Sequence, residues 1–305
     1  MRWFQKILVV LEEGHLPENL LNELGPLVKR NESEITFLLL EPHIPEEFEE
    51  MQDKYNKTLE QGIRDEMAKY DLDAPVDFVH ENQKPYLISI VKRVINFDYD
   101  LVIKHANDDS SGRRKGFKSL EMNLLRKCPC PVWITRGEDT VENKSSMLVA
   151  IDPLEAEKEG QDLSVKLLKM AKSLSTDLGA ELHIISCWEL EYERYLRHSA
   201  FGRVDAPVVD AMIEDLEKRH KQAFEDQLHK ADIDQAVQKA LIRGKAEDRI
   251  PAYIDEKNID LIVMGTVGRV GIPGFFIGNT AENILQNVTC EMFAVKPSGF
   301  TSPIK

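Results

Sequence analysis

Five glycines, Gly265, Gly268, Gly271, Gly274 and Gly278, fall within fourteen residues, and Asn279 and Thr280 follow directly. Glycine has no Cβ, so it reaches positive φ and lets backbone amides come close to an anion. The apolar run Leu261-Ile262-Val263-Met264 precedes this segment, and the residues from Asn279 onward predict a helix. A helix start points unpaired N–H groups and the positive end of its dipole at the same place. Strand, glycine segment and helix therefore predict a phosphate cradle. The spacing is neither that of the P-loop, which ends in Gly-Lys-Ser/Thr, nor the dinucleotide fingerprint after a first strand. A plainer reading stands beside it: the glycines turn the chain, and Asn279 with Glu282 forms a capping box.

Other residues are open to two readings. Arg269 is placed to clamp a phosphate with two hydrogen bonds, or to pair with an acid on the outer face of the loop. Cys128 and Cys130 form a C-P-C pair without further ligands at metal spacing, which favours small core residues over zinc. Arg194, Arg197, His198 and Arg203 surround Ser199-Ala200-Phe201-Gly202, either as a basic flap over phosphates or as a connection balancing Glu189, Glu191 and Glu193. His183, inside an apolar strand, reads as a core histidine. No serine with a paired histidine and aspartate, no metal-binding helix and no two-carboxylate arrangement stands out, so the chain does not read as an enzyme.

An internal repeat sets the elements that must position the glycine segment. Moving 160 positions along the chain takes Asp100-Leu101-Val102-Ile103 to Asp260-Leu261-Ile262-Val263, Leu124-Leu125 to Ile284-Leu285, and Val132-Trp133-Ile134 to Met292-Phe293-Ala294. Ile7 to Glu12 matches Met147 to Asp152 at an offset of 140, and Glu34 to Leu40 matches Glu181 to Cys187 at 147, so the second copy carries insertions, the longest between residues 188 and 240. The charged segment between Arg136 and Ser145 separates the copies, giving domains at 1–140 and 145–305. Short apolar runs alternate with amphipathic stretches such as 163–178 and 212–228. That pattern predicts two tandem doubly wound α/β domains with parallel, Rossmann-like sheets. Ligands of such sheets bind beyond the carboxyl ends of the strands, where the winding reverses.

At 305 residues, with 42% hydrophobic and 30% charged residues, the chain has material for two cores. A net charge of −14 opposes binding to nucleic acid and to anionic lipid. No apolar run approaches the roughly 20 residues needed to cross a bilayer, and Met1 to Lys6 leads directly into a strand, so the expected location is the cytoplasm.

The pattern Gly265-x2-Gly268-x9-Gly278 followed by Asn279-Thr280, after the fourth strand of the second copy, resembles the ATP-binding motif of universal stress proteins. The tandem layout, the Gly268-Arg269-x-Gly271 and Gly278-Asn279-Thr280-Ala281-Glu282 segments and the run Leu124 to Trp133 are similar to tandem members of that family, and the resemblance covers the whole chain. It implies ATP, with or without Mg²⁺, bound by the second copy. Asp152 would lie near the ribose or metal, Cys187 beside the adenine, and Met264, Gly265, Gly268, Gly278, Asn279 and Thr280 around the ribose and phosphates. The family has Ser or Thr directly after the last glycine; here Asn279 stands there, and its amide can still donate. The resemblance further implies that Val132-Trp133-Ile134 and Met292-Phe293-Ala294-Val295 pair with each other, that exposed faces allow a homodimer, and that the chain protects against starvation or DNA damage.

The first copy differs at the same places. His105, Asp108 and Lys118 replace Gly265, Gly268 and Gly278, and Glu12 replaces Asp152. Side chains there obstruct the backbone approach and Asp108 repels an anion, so no ATP is expected in the first copy. The run Arg113-Arg114-Lys115 offers another anion a site, or is a solvated loop. Two further functions are weighed against a binding module: a slow ATPase or phosphotransferase in which Asp152 and Thr280 place a metal and the γ-phosphate, and a carrier of an apolar, lipid-like ligand between the copies.

Overall fold

The computed structural model describes residues 2–12, 14–43, 45–106, 116–136, 146–155, 157–198, 202, 204–233, 237–266 and 278–305. Ten strands form one sheet. The first copy supplies β1 (Lys6–Glu12), β2 (Glu34–Leu40), β3 (Val76–Glu81), β4 (Leu101–His105) and β5 (Val132–Thr135). The second supplies β6 (Ser146–Ala150), β7 (Glu181–Trp188), β8 (Gln238–Arg243), β9 (Leu261–Gly265) and β10 (Glu291–Val295). Their order is β3-β2-β1-β4-β5-β10-β9-β6-β7-β8. Every neighbouring pair is parallel except β5 with β10, which is antiparallel and joins the copies as expected.

In that pair Trp133 lies opposite Phe293. These residues are also partners in the repeat, so the local two-fold axis of the sheet passes beside them, with ring centroids 6.0 Å apart. The buried Glu291 carboxylate completes the seam, accepting from Trp133 Nε1 at 2.8 Å and from the Arg136 amide at 3.1 Å.

The apolar runs are buried on both faces because helices cover both. On one face lie α1 (Glu18–Asn31), α2 (Glu49–Lys69), α5 (Lys158–Leu178) and α7 (Ala206–Lys230), packed over Val9, Phe37, Val149 and Ile184. On the other lie α3 (Tyr86–Phe97), α4 (Ser119–Lys127), α8 (Ala246–Lys257) and α9 (Asn279–Asn287), packed over Val10, Leu38, Leu148 and Ile262. Each core runs through both copies. The outer strands β3 and β8 were not evident in the sequence because polar residues interrupt them; such residues discourage further strand pairing at a sheet edge.

The insertion of the second copy is α6 (Glu193–His198) and the lengthened α7. It builds its own small cluster from Trp188, Val209 and Ile213, with Leu190, Leu196, Val204 and Leu216 against it. No helix among the described residues is long and apolar enough to cross a membrane.

Candidate functional site

The winding reverses between β6 and β9, and Asp152, Cys187, Met264 and Gly265 lie at the carboxyl ends of these strands and of β7. Asp152 follows β6 and is half-buried; its carboxylate accepts from the Leu154 amide at 3.1 Å. Its carbonyl accepts from Ser164 Oγ on α5 at 3.3 Å, which fixes the turn. Cys187, near the end of β7, is half-buried, and burial pushes its thiol up to about 11 against the opposing charge of Arg249. Met264 is buried in the α8–α9 core.

Gly265 ends β9. A Cβ there would stand 2.9 Å from Leu163 Cδ2, so any side chain must displace Leu163 from beside the strand end. Gly278 donates from its amide to the Thr266 carbonyl at 3.2 Å and accepts from the Glu282 amide at 2.8 Å, which makes it the cap of α9. Asn279 and Thr280 are exposed in the first turn. The capping box is not formed: no side chain caps α9, and the Glu282 carboxylate instead pairs with Arg126 of the first copy. Gly268, Arg269, Gly271 and Gly274 lie outside the described residues, as do Asp108 and Arg113-Arg114-Lys115.

At the matching point of the first copy, Lys104 takes the place of Met264. Its ammonium is buried and donates to Glu121 Oε1 at 2.6 Å and to the His105 carbonyl at 2.9 Å, with Glu12 Oε1 at 3.1 Å. Glu121, in the first turn of α4, stands where α9 has Ala281. His105, in the place of Gly265, meets Thr135 Oγ1 through Nδ1 at 3.1 Å. An ion cluster of the chain itself thus fills the point where the second copy has a methionine, a glycine and an alanine. Lys118 is the cap residue of α4.

One pair escaped the sequence. Ser186 Oγ lies 3.0 Å from His220 Nε2, and both residues are buried, so no exposed nucleophile results. His220 Nδ1 has no hydrogen-bond partner. Burial lowers the imidazole pKa, with the Asp152 charge acting in the opposite direction. The two residues are 34 positions apart on different elements, and neither spacing nor composition signals the contact.

The basic residues of the insertion face its own acids. Arg197 pairs with Glu193 at 2.9 Å and Asp210 at 2.5 Å, and Arg243 reaches Glu193 at 2.5 Å. Arg194 and His198 are exposed, while Ser199, Ala200, Phe201 and Arg203 lie outside the described residues. His183 is a bonded core histidine, with Nδ1 2.9 Å from the Tyr253 hydroxyl. Cys128 is buried with its sulfur 3.6 Å from that of Cys130, and the described residues contain no cluster able to hold a metal ion.

Comparison with known proteins agrees with this architecture. The model of the "Universal stress protein family" matches residues 4–136 and 145–296. Universal stress protein E of Photorhabdus laumondii is 27% identical over 317 residues, covering 99% of this chain and 98% of its own. Universal stress protein E of Escherichia coli K12 is 27% identical over 246 residues, covering 79% of this chain and 75% of its own. A universal stress protein from Archaeoglobus fulgidus superposes with a TM-score of 0.61 at 20% identity, covering 95% of this chain and 98% of that one. With a family match in each copy and a fold shared along nearly the whole length, the chain belongs to the universal stress protein family.

Proposed function

We propose that this universal stress protein is a cytoplasmic stress-protective module, active in starvation or DNA damage, whose second copy binds ATP and whose first does not. The domains in this reading are 1–140 and 145–305. The observation that carries it is the contrast between the copies at one point of one fold. Met264, Gly265 and Ala281 bring no charge to the strand end of the second copy, whereas Lys104, Glu12 and Glu121 fill the first with mutually bonded charges.

Asp152 then meets the ribose or its Mg²⁺, and Cys187 lies beside the base with a thiol that burial keeps protonated at neutral pH. The first turn of α9, with Asn279 and Thr280, offers amide and hydroxyl donors to the phosphates. Gly268 and Arg269 complete the phosphate contacts on the strength of their sequence positions. Met264 supports the base of the site. Binding needs no chemical step.

Calorimetry with ATP and Mg²⁺ tests the reading on the whole chain and on Gly268→Asp, which installs the first copy's residue. One ATP per chain, lost in the variant, supports it. Two ATP per chain, or none, would contradict it.

A further inference from the structure

The segment between β9 and α9 starts at Thr266 and ends at Gly278, and the first copy grips the chain at both ends. The Thr266 hydroxyl is fully buried; it donates to the Leu125 carbonyl at 3.2 Å and accepts a hydrogen bond from Lys296 Nζ. Lys296 Nζ donates to the same carbonyl at 2.5 Å. In the first turn of α9, Glu282 pairs with the Arg126 guanidinium. Leu125 and Arg126 are consecutive residues in the last turn of α4, so one helix turn of the first copy reaches the strand side and the helix side of the same segment.

These two contacts have no counterpart on the other side of the axis, where Gly116 of the first copy instead donates from its amide to the Val288 carbonyl at 3.2 Å. By the repeat, Thr266 corresponds to Ala106, Glu282 to Met122 and Arg126 to Gln286. A methyl group and a thioether cannot reproduce the hydroxyl bridge or the ion pair on the other side of the axis. The hydroxyl bridge and the ion pair act on the copy that kept its glycines.

We propose that Arg126, together with the Leu125 carbonyl, positions the nucleotide site of the second copy: α4 braces Thr266, whose carbonyl accepts from the Gly278 amide at 3.2 Å, and the first turn of α9, so the site is complete only with the first copy docked. This rests on the nucleotide reading above. Arg126 acts through Glu282 and touches no ligand itself. The first copy in this view works as the fixed jaw of a site that lies wholly in the second.

The test measures ATP affinity with Mg²⁺ on the full chain and on Arg126→Ala, Glu282→Ala, their double variant, Arg126→Lys and Thr266→Val. Removing Arg126 should weaken ATP binding by roughly fivefold or more, the scale of a modest coupling between sites. The double variant should be no weaker than the worse single one, because both remove the same link. Arg126→Lys should recover most of the affinity, and Thr266→Val, nearly equal in volume, should show a comparable loss. The ion pair is half-exposed and contributes at most about 1 kcal/mol to folding, so the urea midpoint of Arg126→Ala should stay close to that of the parent. If the parent binds ATP and Arg126→Ala and Thr266→Val bind it equally well, the positioning role is overturned. Additive losses from Arg126 and Glu282 would overturn the link between them. If the parent binds no ATP at all, the nucleotide reading fails and this role falls with it, a result separate from the others.

Discussion

Arg136 and Lys296 follow the two central strands at equivalent places, and each reaches across the two-fold axis to the helix end of the opposite copy. Arg136 Nη1 donates to the carbonyls of Val288 and Thr289 at 3.4 and 3.3 Å, just beyond α9. Lys296 Nζ donates to the Leu125 carbonyl at 2.5 Å, in the last turn of α4. Cations at helix carboxyl ends satisfy carbonyls that lack partners and meet the negative end of the dipole. The exchange ties the copies together beyond the short strands of the seam. The guanidinium stays charged, but the lysine need not.

Burial lowers the Lys296 pKa from 10.5 to about 7, with the nearby Cys128 thiol opposing the change. Between those two values the unfolded chain holds more protons than the folded one, so stability rises with pH across that window. Below about pH 7 the cost of the buried ammonium is present in full. Between pH 7 and 9 the urea-derived stability should gain up to about 1.4 kcal/mol per pH unit from this group. Lys296→Met should remove that gain. An equal slope in parent and variant would show that the ammonium is not the source.

The buried ion cluster of the first copy gives a second prediction. Lys104→Met alone leaves Glu121 buried without its cation, and Glu121 Oε2 already lacks a hydrogen-bond partner. Removing one member of such a pair costs about 3–5 kcal/mol, whereas replacing both with apolar residues is often neutral. Lys104→Met with Glu121→Ala copies what the second half of the chain already contains at Met264 and Ala281. Urea unfolding should therefore find the double variant more stable than Lys104→Met. The idea is wrong if the second substitution adds to the damage.

How much of this was legible in sequence follows from the range of the interactions. Runs such as Leu8-Val9-Val10 and Leu261-Ile262-Val263 announce buried parallel strands, because one residue after another must be apolar when helices cover both faces. The offset of 160 residues announces two copies of one domain, whereas the antiparallel pairing that sets Trp133 opposite Phe293 was implied by the family resemblance alone. Lys104, Glu291 and Lys296 carry charge in stretches otherwise buried, and their partners stand on other elements. Nothing local distinguishes the Ser186 and His220 contact from two solvated residues. Glycine spacing marked the candidate site in the sequence, whereas the contacts of Leu125 with Thr266 and of Arg126 with Glu282 needed coordinates.

His80 sits between two carboxylates, with Nδ1 2.7 Å from Glu41 Oε1 and Nε2 2.8 Å from Glu60 Oε1. Only the imidazolium donates from both nitrogens. Burial acts to lower its pKa, but the hydrogen bonds and charges of Glu60 and Glu41 outweigh it, and the pKa is raised above 6.5. The clamp between β3 and α2 thus contributes fully below pH 6.5 and is lost as pH rises through the raised value. His80→Gln should cost up to about 1 kcal/mol at pH 6, since the group is partly exposed, and less at pH 8. Hydrogen exchange along α2 should show the same trend. A cost that grows with pH would refute the clamp.

The seam itself makes the last prediction. Val132, Trp133 and Ile134 are at most 1% exposed, and β10 covers the edge of β5 that would otherwise be open. Residues 1–140 produced alone would expose this strand as an apolar sheet edge, which readily pairs with another strand. Because the seam already relates equivalent residues by a two-fold axis, a second copy of the same fragment can take the place of β10 with Trp133 opposite Trp133. Sedimentation should therefore find the fragment dimeric, and Trp133→Lys should shift it toward monomer or unfold it. Circular dichroism separates those two outcomes. A folded, monomeric parent fragment at high concentration would mean that the edge is covered from within its own copy, contrary to the register of the seam.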